Sequence, residues 1–283
     1  MAITTDWHIH TKYSCDSACM EFEDLVKDAK NLGLTDFGVS DHYHSRLQEP
    51  DIKASRLAYE QTLQNHPELK GHFHFGIELS AMSEWEINKI AKGDYTDFPV
   101  VGIRTGGPKN SPVVYDYDEE FTEKYNIEYV IGGVHWLLYC DSDKESVLKE
   151  QHRQYMFCAT NPHTTILAHY LWWNPMDSKR WPDMKNPCEH FMAISETMRS
   201  ELVCALKENN VAFEINGFFL KGNYSQTFID EYLGWISDIQ RKGVVLSLGT
   251  DSHSPDLSSN CDYEAAEQLF KHYKIDSSKF FCL

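Results

Sequence analysis

Seven short apolar runs, each finishing in or beside a histidine or an acid, constrain this chain more than any other feature. They are Thr5–His10, Asp36–Ser40, His72–Leu79, Tyr129–Val134, Thr165–His169, Val211–Ile215 and Val244–Leu248. Rich in Val, Ile and Phe and too short for helices, they read as strands. Longer amphipathic stretches separate them: Glu21–Leu32, Ile52–Gln64, Lys144–Cys158, Cys188–Glu208, Gln226–Lys242 and Tyr263–Tyr273. Gly33 and Gly243 stand just past two of these, where a left-handed residue ends a helix and glycine adopts it cheaply. Strand and helix in alternation predict an α/β fold with a mainly parallel sheet. Seven strands closing on themselves, as in a TIM-like barrel, is the preferred arrangement, with an open doubly wound sheet as the alternative. Residues 81–125 break the rhythm with a Gly/Pro cluster, Thr105 to Pro112. So long a connection predicts a lid or binding loop. No repeat or linker divides the chain, so residues 1–283 read as a single domain.

Composition removes several functions. Against 26 Lys and Arg stand 43 Asp and Glu, a net charge of −17. Non-specific nucleic-acid affinity comes from clustered cations, so long nucleic acid and anionic membranes are poor partners. No run reaches the roughly 18 apolar residues of a membrane span, and the N-terminus does not read as a secretory signal. The eight cysteines are scattered without a C-x-x-C pair, which suits unreactive thiols in a reducing cytoplasm.

The chemistry collects at the strand ends. His8 and His10 alternate to one face of the first strand. Later runs end at Asp41-His42, Glu78, His135, His169, Glu214-Ile-Asn216 and Asp251-Ser-His253. In a parallel barrel all these ends share one face, where the following loops build an active site. Convergent imidazoles and carboxylates suit Zn, Mn or Fe rather than an all-oxygen calcium cage. There is no Gly-x-Ser-x-Gly elbow and no P-loop, so serine-hydrolase and nucleoside-triphosphatase chemistry lack support.

The blocks His-Ile-His at 8–10, Ser-Asp-His at 40–42, Gly-Ile-Glu at 76–78, Gly-Gly-Val-His at 132–135, Leu-Ala-His at 167–169 and Gly-Thr-Asp-Ser-His-Ser-Pro at 249–255 follow one another in chain order. In them the sequence resembles the PHP (polymerase and histidinol phosphatase) metal-dependent phosphoesterases, over nearly its whole length. The resemblance implies a distorted seven-stranded (β/α)7 barrel, TIM-barrel-like, holding two to three divalent metals. One metal would take His8, His10, Glu78 and Asp251. Glu78 would bridge to a second held by His135 and His169, and a third would take Asp16, His42 and His253. Cys15 is an alternative to Asp16. Asp41 is expected either to orient a ligand histidine or to form a turn or cap.

The implied reaction is hydrolysis of a small phosphate monoester by a metal-bridging hydroxide, with Glu78 fixing the metals and Asp251 or His253 handling protons. Metal ions make an acidic protein compatible with an anionic substrate by reversing the local sign. Glu214 and Asn216 resemble the strand-six segment of the histidinol-phosphatase branch, which makes them candidates for a substrate amine or hydroxyl and histidinol phosphate, an intermediate of histidine biosynthesis, the leading substrate. As the structural alternative, they terminate a strand and cap a helix. The stretch Tyr-Leu-Trp-Trp-Asn-Pro after His169 departs from that branch. Arg46, Arg104, Arg180, Arg199 and Lys221 are candidate phosphate cations, and His44 a candidate proton donor. Trp7, Tyr43, Trp136, Trp172, Trp173, Phe218 and Phe219 are expected to serve packing more often than a pocket floor. Two other functions stand beside this one: a nucleotidase or phosphodiesterase on nucleotides or short oligonucleotides, and a catalytically silent metal-bound regulatory protein.

Overall fold

The computed structural model describes residues 3–95, 102–173, 190–221 and 224–283. Arg180 and Cys188, with the start of the helix expected from residue 188, lie outside them. All seven expected strands form: β1 (Thr5–Asp6), β2 (Asp36–Tyr43), β3 (Phe73–Ser80), then β6 (Tyr129–Gly133), β7 (Ile166–Leu167), β8 (Ala212–Asn216) and β9 (Leu246–Gly249). They make one parallel sheet in chain order. Its edges then meet. Trp7 N–H donates to Leu248 O (3.2 Å), Asp251 N–H to His8 O (2.7 Å) and His10 N–H to Ser252 O (3.0 Å). The result is a nearly closed barrel, and the open sheet is excluded.

Helices fall where the periodicity places them: α1 (Phe22–Leu32), α2 (Glu49–Asn65), α5 (Lys144–Thr160), α6 (Glu196–Asn209), α8 (Gln226–Arg241) and α9 (Tyr263–Tyr273). Gly33 and Gly243 both take positive φ, 73° and 91°. Serine or aspartate caps start most of them, for example Ser195 accepting from Met198 N–H and Ser225 from Phe228 N–H.

The segment 81–125, expected to be a lid or binding loop, carries four short regular elements among its described residues. It contains α3 (Glu84–Ala91), the short α4 (Glu119–Tyr125), and β4 (Met82–Ser83) paired antiparallel with β5 (Val113–Val114). Arg104 is buried, and its guanidinium pairs with Glu86 and donates to Asp94 O. The Gly/Pro cluster from Thr105 to Pro112 forms the bends and turns between α3 and β5.

The barrel floor is filled by rings. Trp7 stacks edge-on to Tyr129 (5.4 Å) and Phe281 (5.3 Å). The Tyr129 hydroxyl sits 2.8 Å from Trp7 O and 2.9 Å from Val39 O. A Cβ at Gly76 would lie 2.5 Å from the Tyr129 ring, so this glycine on β3 is what admits it. Asp6 is fully buried beneath the seam and accepts from His8 N, Thr250 N, Thr250 Oγ1 and Tyr263 Oη. No described helix is long and apolar enough to cross a membrane.

Candidate metal centre

Every strand C-terminus opens on the same face, and the side chains expected there converge. Glu78, at 0% exposure, lies at the middle. Its Oε2 is 3.2 Å from His8 Nε2, 3.4 Å from His10 Nε2 and 2.8 Å from His42 Nδ1. Its Oε1 is 3.1 Å from His135 Nε2 and 2.9 Å from His169 Nε2. Asp251 Oδ1 adds a second oxygen 3.2 Å from His10 Nε2 and 3.6 Å from His8 Nε2. On the outer side, Asp16 Oδ2 is 3.1 Å from His42 Nε2 and 2.5 Å from His253 Nε2.

Local backbone explains the convergence. β1 and β7 keep ladder pairing for only two residues each, shorter than their apolar runs. His169 follows β7 at φ 27°, and Asp251 follows β9 at φ 52°. Left-handed backbone at a non-glycine residue ends a strand and costs of order 1–3 kcal/mol. Here both such residues are among those that face Glu78 or the His8–His10 pair.

Several of the ring nitrogens turned away from the cluster are held. His8 Nδ1 donates to Glu214 Oε1 (2.5 Å), and His253 Nδ1 to Asp251 O (2.9 Å). His10 Nδ1 is 3.4 Å from Ser14 Oγ. His135 Nδ1 lies 2.6 Å from Ser80 Oγ, which is also 2.6 Å from His44 Nδ1. A neutral ring that donates from its outer nitrogen, as His8 does to Glu214, keeps its other nitrogen as a lone pair aimed inward. Two such lone pairs, His8 Nε2 and His10 Nε2, meet at 3.0 Å. Neither can bond to the other without a proton, and a shared cation is what satisfies both.

The donor set therefore fits divalent metal. Three groups, His8/His10/Glu78, His42/Glu78/His135 and His10/His42/His253, each bring their ligand atoms within 4.8 Å of one another. Protonation is uneven across the cluster: burial opposes a charge on His8, His169 and His253, but nearby carboxylates raise all three. Burial pushes His10 down to about 3, helped by the His253 and His42 charges, and burial holds His135 down to about 4. His42 rises to about 10: burial opposes this, but Glu78 and Asp16 outweigh it. Burial would raise Glu78, yet the surrounding imidazoles hold it well below the carboxylate range.

Asp16, rather than Cys15, reaches the two histidines; burial and Asp16 push the Cys15 thiol up to about 12, which disfavours a thiolate. Asp41 touches no imidazole. It accepts from Thr11 N (2.5 Å), Thr11 Oγ1 (2.7 Å) and Ser55 Oγ (2.5 Å), tying the loop after β1 to β2 and α2. Arg199 lines a surface groove between α6 and α8 with Trp235 and Asp238, its guanidinium beside Phe191 (6.0 Å). Arg46 pairs with Asp116, and Arg104 with Glu86. Lys221 is exposed and caps the end of α7 (Gly217–Leu220), the short helix that follows β8. Of the aromatics, Trp7, Tyr43 and Phe219 are core. Trp172 is half-buried, with its ring 5.4 Å from His169 and 6.4 Å from His135, and Trp136 is 5.6 Å from His135. Ser80 and Ser14 were not foreseen. Ser80 stands two residues after Glu78 on the same face of β3, and that alternation was its one available signal.

A family model described as "PHP domain" matches residues 6–274. The fold is similar to that of histidinol phosphate phosphatase from Lactococcus lactis subsp. lactis Il1403, solved with zinc, L-histidinol and phosphate. The TM-score is 0.64 at 18% identity, over 97% of this chain and 95% of that one. It is also similar to a Listeria monocytogenes protein provisionally named histidinol phosphatase hisK, with TM-score 0.54 at 12% identity over 95% and 99%. No curated protein matches the chain in sequence.

Proposed function

The chain belongs to the PHP family, and from that premise we propose that this metal-dependent phosphoesterase hydrolyses a small phosphate monoester, with histidinol phosphate the leading substrate. The observation that carries the metal centre is Glu78: one fully buried carboxylate facing five histidine nitrogens. His8, His10, Glu78 and Asp251 would hold one metal, and Glu78, His135 and His169 a second. Asp16, His42 and His253 would hold a third, with His42 placed to serve either of the last two. Zinc, manganese and iron all suit these ligands, so two or three divalent ions are expected per chain. Bound there, such ions lower the pKa of water and neutralise charge on phosphoryl oxygens.

The chain's own residues do the rest. Glu78 fixes the spacing between neighbouring cation sites. Asp251 and His253, both partly open to solvent, are placed to accept and return protons. The half-buried Trp172 ring beside His169 offers a wall for a ring-bearing substrate, which supports a substrate like the histidinol seen in the Lactococcus protein. Lys221 is an exposed cation on the same side of the barrel. The same indole would accept a nucleobase, so nucleotides are the second substrate class, while the charge of −17 disfavours long nucleic acid. No disulfide joins the described cysteines, in keeping with a reducing cytoplasm.

The test is hydrolysis of p-nitrophenyl phosphate, histidinol phosphate and a nucleotide panel by protein of measured metal content. His10→Ala and Glu78→Ala are expected to abolish turnover while the fold persists. Full activity in demonstrably metal-free protein would end the reading.

A further inference from the structure

We propose that Glu214 and Asn216 are a positioning pair that sets His8, His169 and Asp251 for metal binding; this rests on the metal-centre reading above. The two residues alternate to the inner face of β8, at 0% and 1% exposure. Glu214 Oε1 takes the His8 Nδ1 proton (2.5 Å), and Oε2 takes the His169 backbone N–H (2.6 Å). Asn216 Nδ2 donates both to Glu214 Oε2 (3.3 Å) and to Asp251 Oδ2 (3.3 Å). Its Oδ1 accepts from Phe218 N (2.9 Å) and caps α7, so the amide itself is anchored.

A carboxylate offers about four lone-pair positions, and three of those on Glu214 are taken by donors within the fold. With no exposed surface either, it has little to give a substrate amine or hydroxyl, the role expected from sequence. What it grips is informative. His169 and Asp251 are the residues at φ 27° and 52°, and a residue held in sparsely populated backbone persists only where its surroundings over-determine it. Glu214 holds the first by its N–H and, through Asn216, steadies the side chain of the second. A carboxylate on Nδ1 also fixes the His8 tautomer and makes Nε2 a better electron donor. The neighbouring strand makes room for this: a Cβ at Gly249 would run into Glu214 Oε1 and lie 2.5 Å from His8 Cβ.

The experiment is titration of Zn2+ and Mn2+ into chelator-stripped full-length wild type, Glu214→Gln and Asn216→Ala, by calorimetry or chelator competition. Glutamine keeps the volume but offers one oxygen to three N–H donors. Affinity for the His8 site is expected to fall about 10–100-fold in Glu214→Gln, with folding retained by near-UV circular dichroism. On wild type alone, proton NMR is expected to show a protected, far-downfield imidazole proton from His8 Nδ1–H. Wild-type metal affinity in Glu214→Gln, or a raised KM for substrate with metal binding and kcat intact, would overturn the positioning role and leave the metal centre standing. Absence of the His8 resonance would also count against it. Failure of wild type to take up any divalent metal would remove the underlying reading itself.

Discussion

Gly132 and Gly133 are neighbours in β6 that face opposite ways, which allows the architecture and the metal centre to be perturbed one at a time. A Cβ at 133 would lie 2.6 Å from His135 Cε1 and 2.7 Å from Glu78 Oε1. Carbon contacts settle near 3.5–4.0 Å, so the two groups would have to retreat by about 1 Å. Neither is free to do so. Glu78 is ringed by five imidazole nitrogens, and His135 is tethered through Ser80. A Cβ at 132 would instead run into the Tyr115 hydroxyl and lie 3.0 Å from Thr164 Cγ2, outside the metal centre. Overpacking of either kind costs about 1–3 kcal/mol, or a Tm loss of about 2–12 °C at this chain length. The two variants should differ in chemistry, because misplacing a reacting group by about 1 Å costs about 100-fold. Gly133→Ala is thus expected to lose about 100-fold in kcat/KM and to bind metal more weakly. Gly132→Ala should lose comparable Tm with metal affinity unchanged. Calorimetric melting of apo protein, chelator competition and steady-state phosphatase assays provide the three readouts. Equal catalytic losses in both variants, or wild-type metal affinity in Gly133→Ala, would refute the reasoning.

Three other outcomes follow from the same geometry. Burial lifts Asp6 from 3.8 to about 6, against hydrogen bonds from Tyr263 and Thr250 that pull it down. A raised acid binds its proton more tightly in the native state, so its contribution is complete below 3.8 and lost as pH rises through about 6. That loss is worth about 3 kcal/mol. The stability difference between wild type and Asp6→Asn, followed by urea melts, should move against wild type over that window; a flat difference would refute it. Chelation should lower Tm, because metal at about 100 times its Kd stabilises by about 2.7 kcal/mol, and added Zn2+ or Mn2+ should restore Tm and activity together. Ser80→Ala breaks the link from His135 to His44 and should weaken metal binding by about tenfold while leaving a folded protein; unchanged affinity in chelator competition would show that the link does not orient His135.

The periodic parts of this molecule were legible and the long-range pairings were not. All seven strands were readable because burial on both faces writes continuous apolar runs, and strand–helix alternation implied a parallel sheet, while its closure is seen only in the seam between β1 and β9. Histidines and acids at strand ends pointed to one face, and Asp16 with His42 and His253 are brought together there. Partnership across the barrel is another matter. Alternation says that Glu214 faces inward, but not that a residue 206 positions away meets it. For the same reason Arg104 read as a phosphate cation until Glu86 was seen to neutralise it. Asp41 read as a possible orienting group, though its donors are Thr11 and Ser55. The Gly/Pro cluster is another case, since turn residues mark where a chain bends and say nothing about whether the bend is free to move.

The seam between the first and last strands has a consequence for how the protein comes into being. His8 and His10 are synthesised well before Asp251, which lies 3.2 Å from His10 in the folded barrel. No nascent chain that stops short of Asp251 carries this nitrogen–oxygen pocket, so tight cation capture has to await synthesis of β9 and the residues just after it. The nascent histidines are thus poorly equipped to sequester free transition metal by themselves, and the full ligand set exists only once the β1–β9 seam has formed.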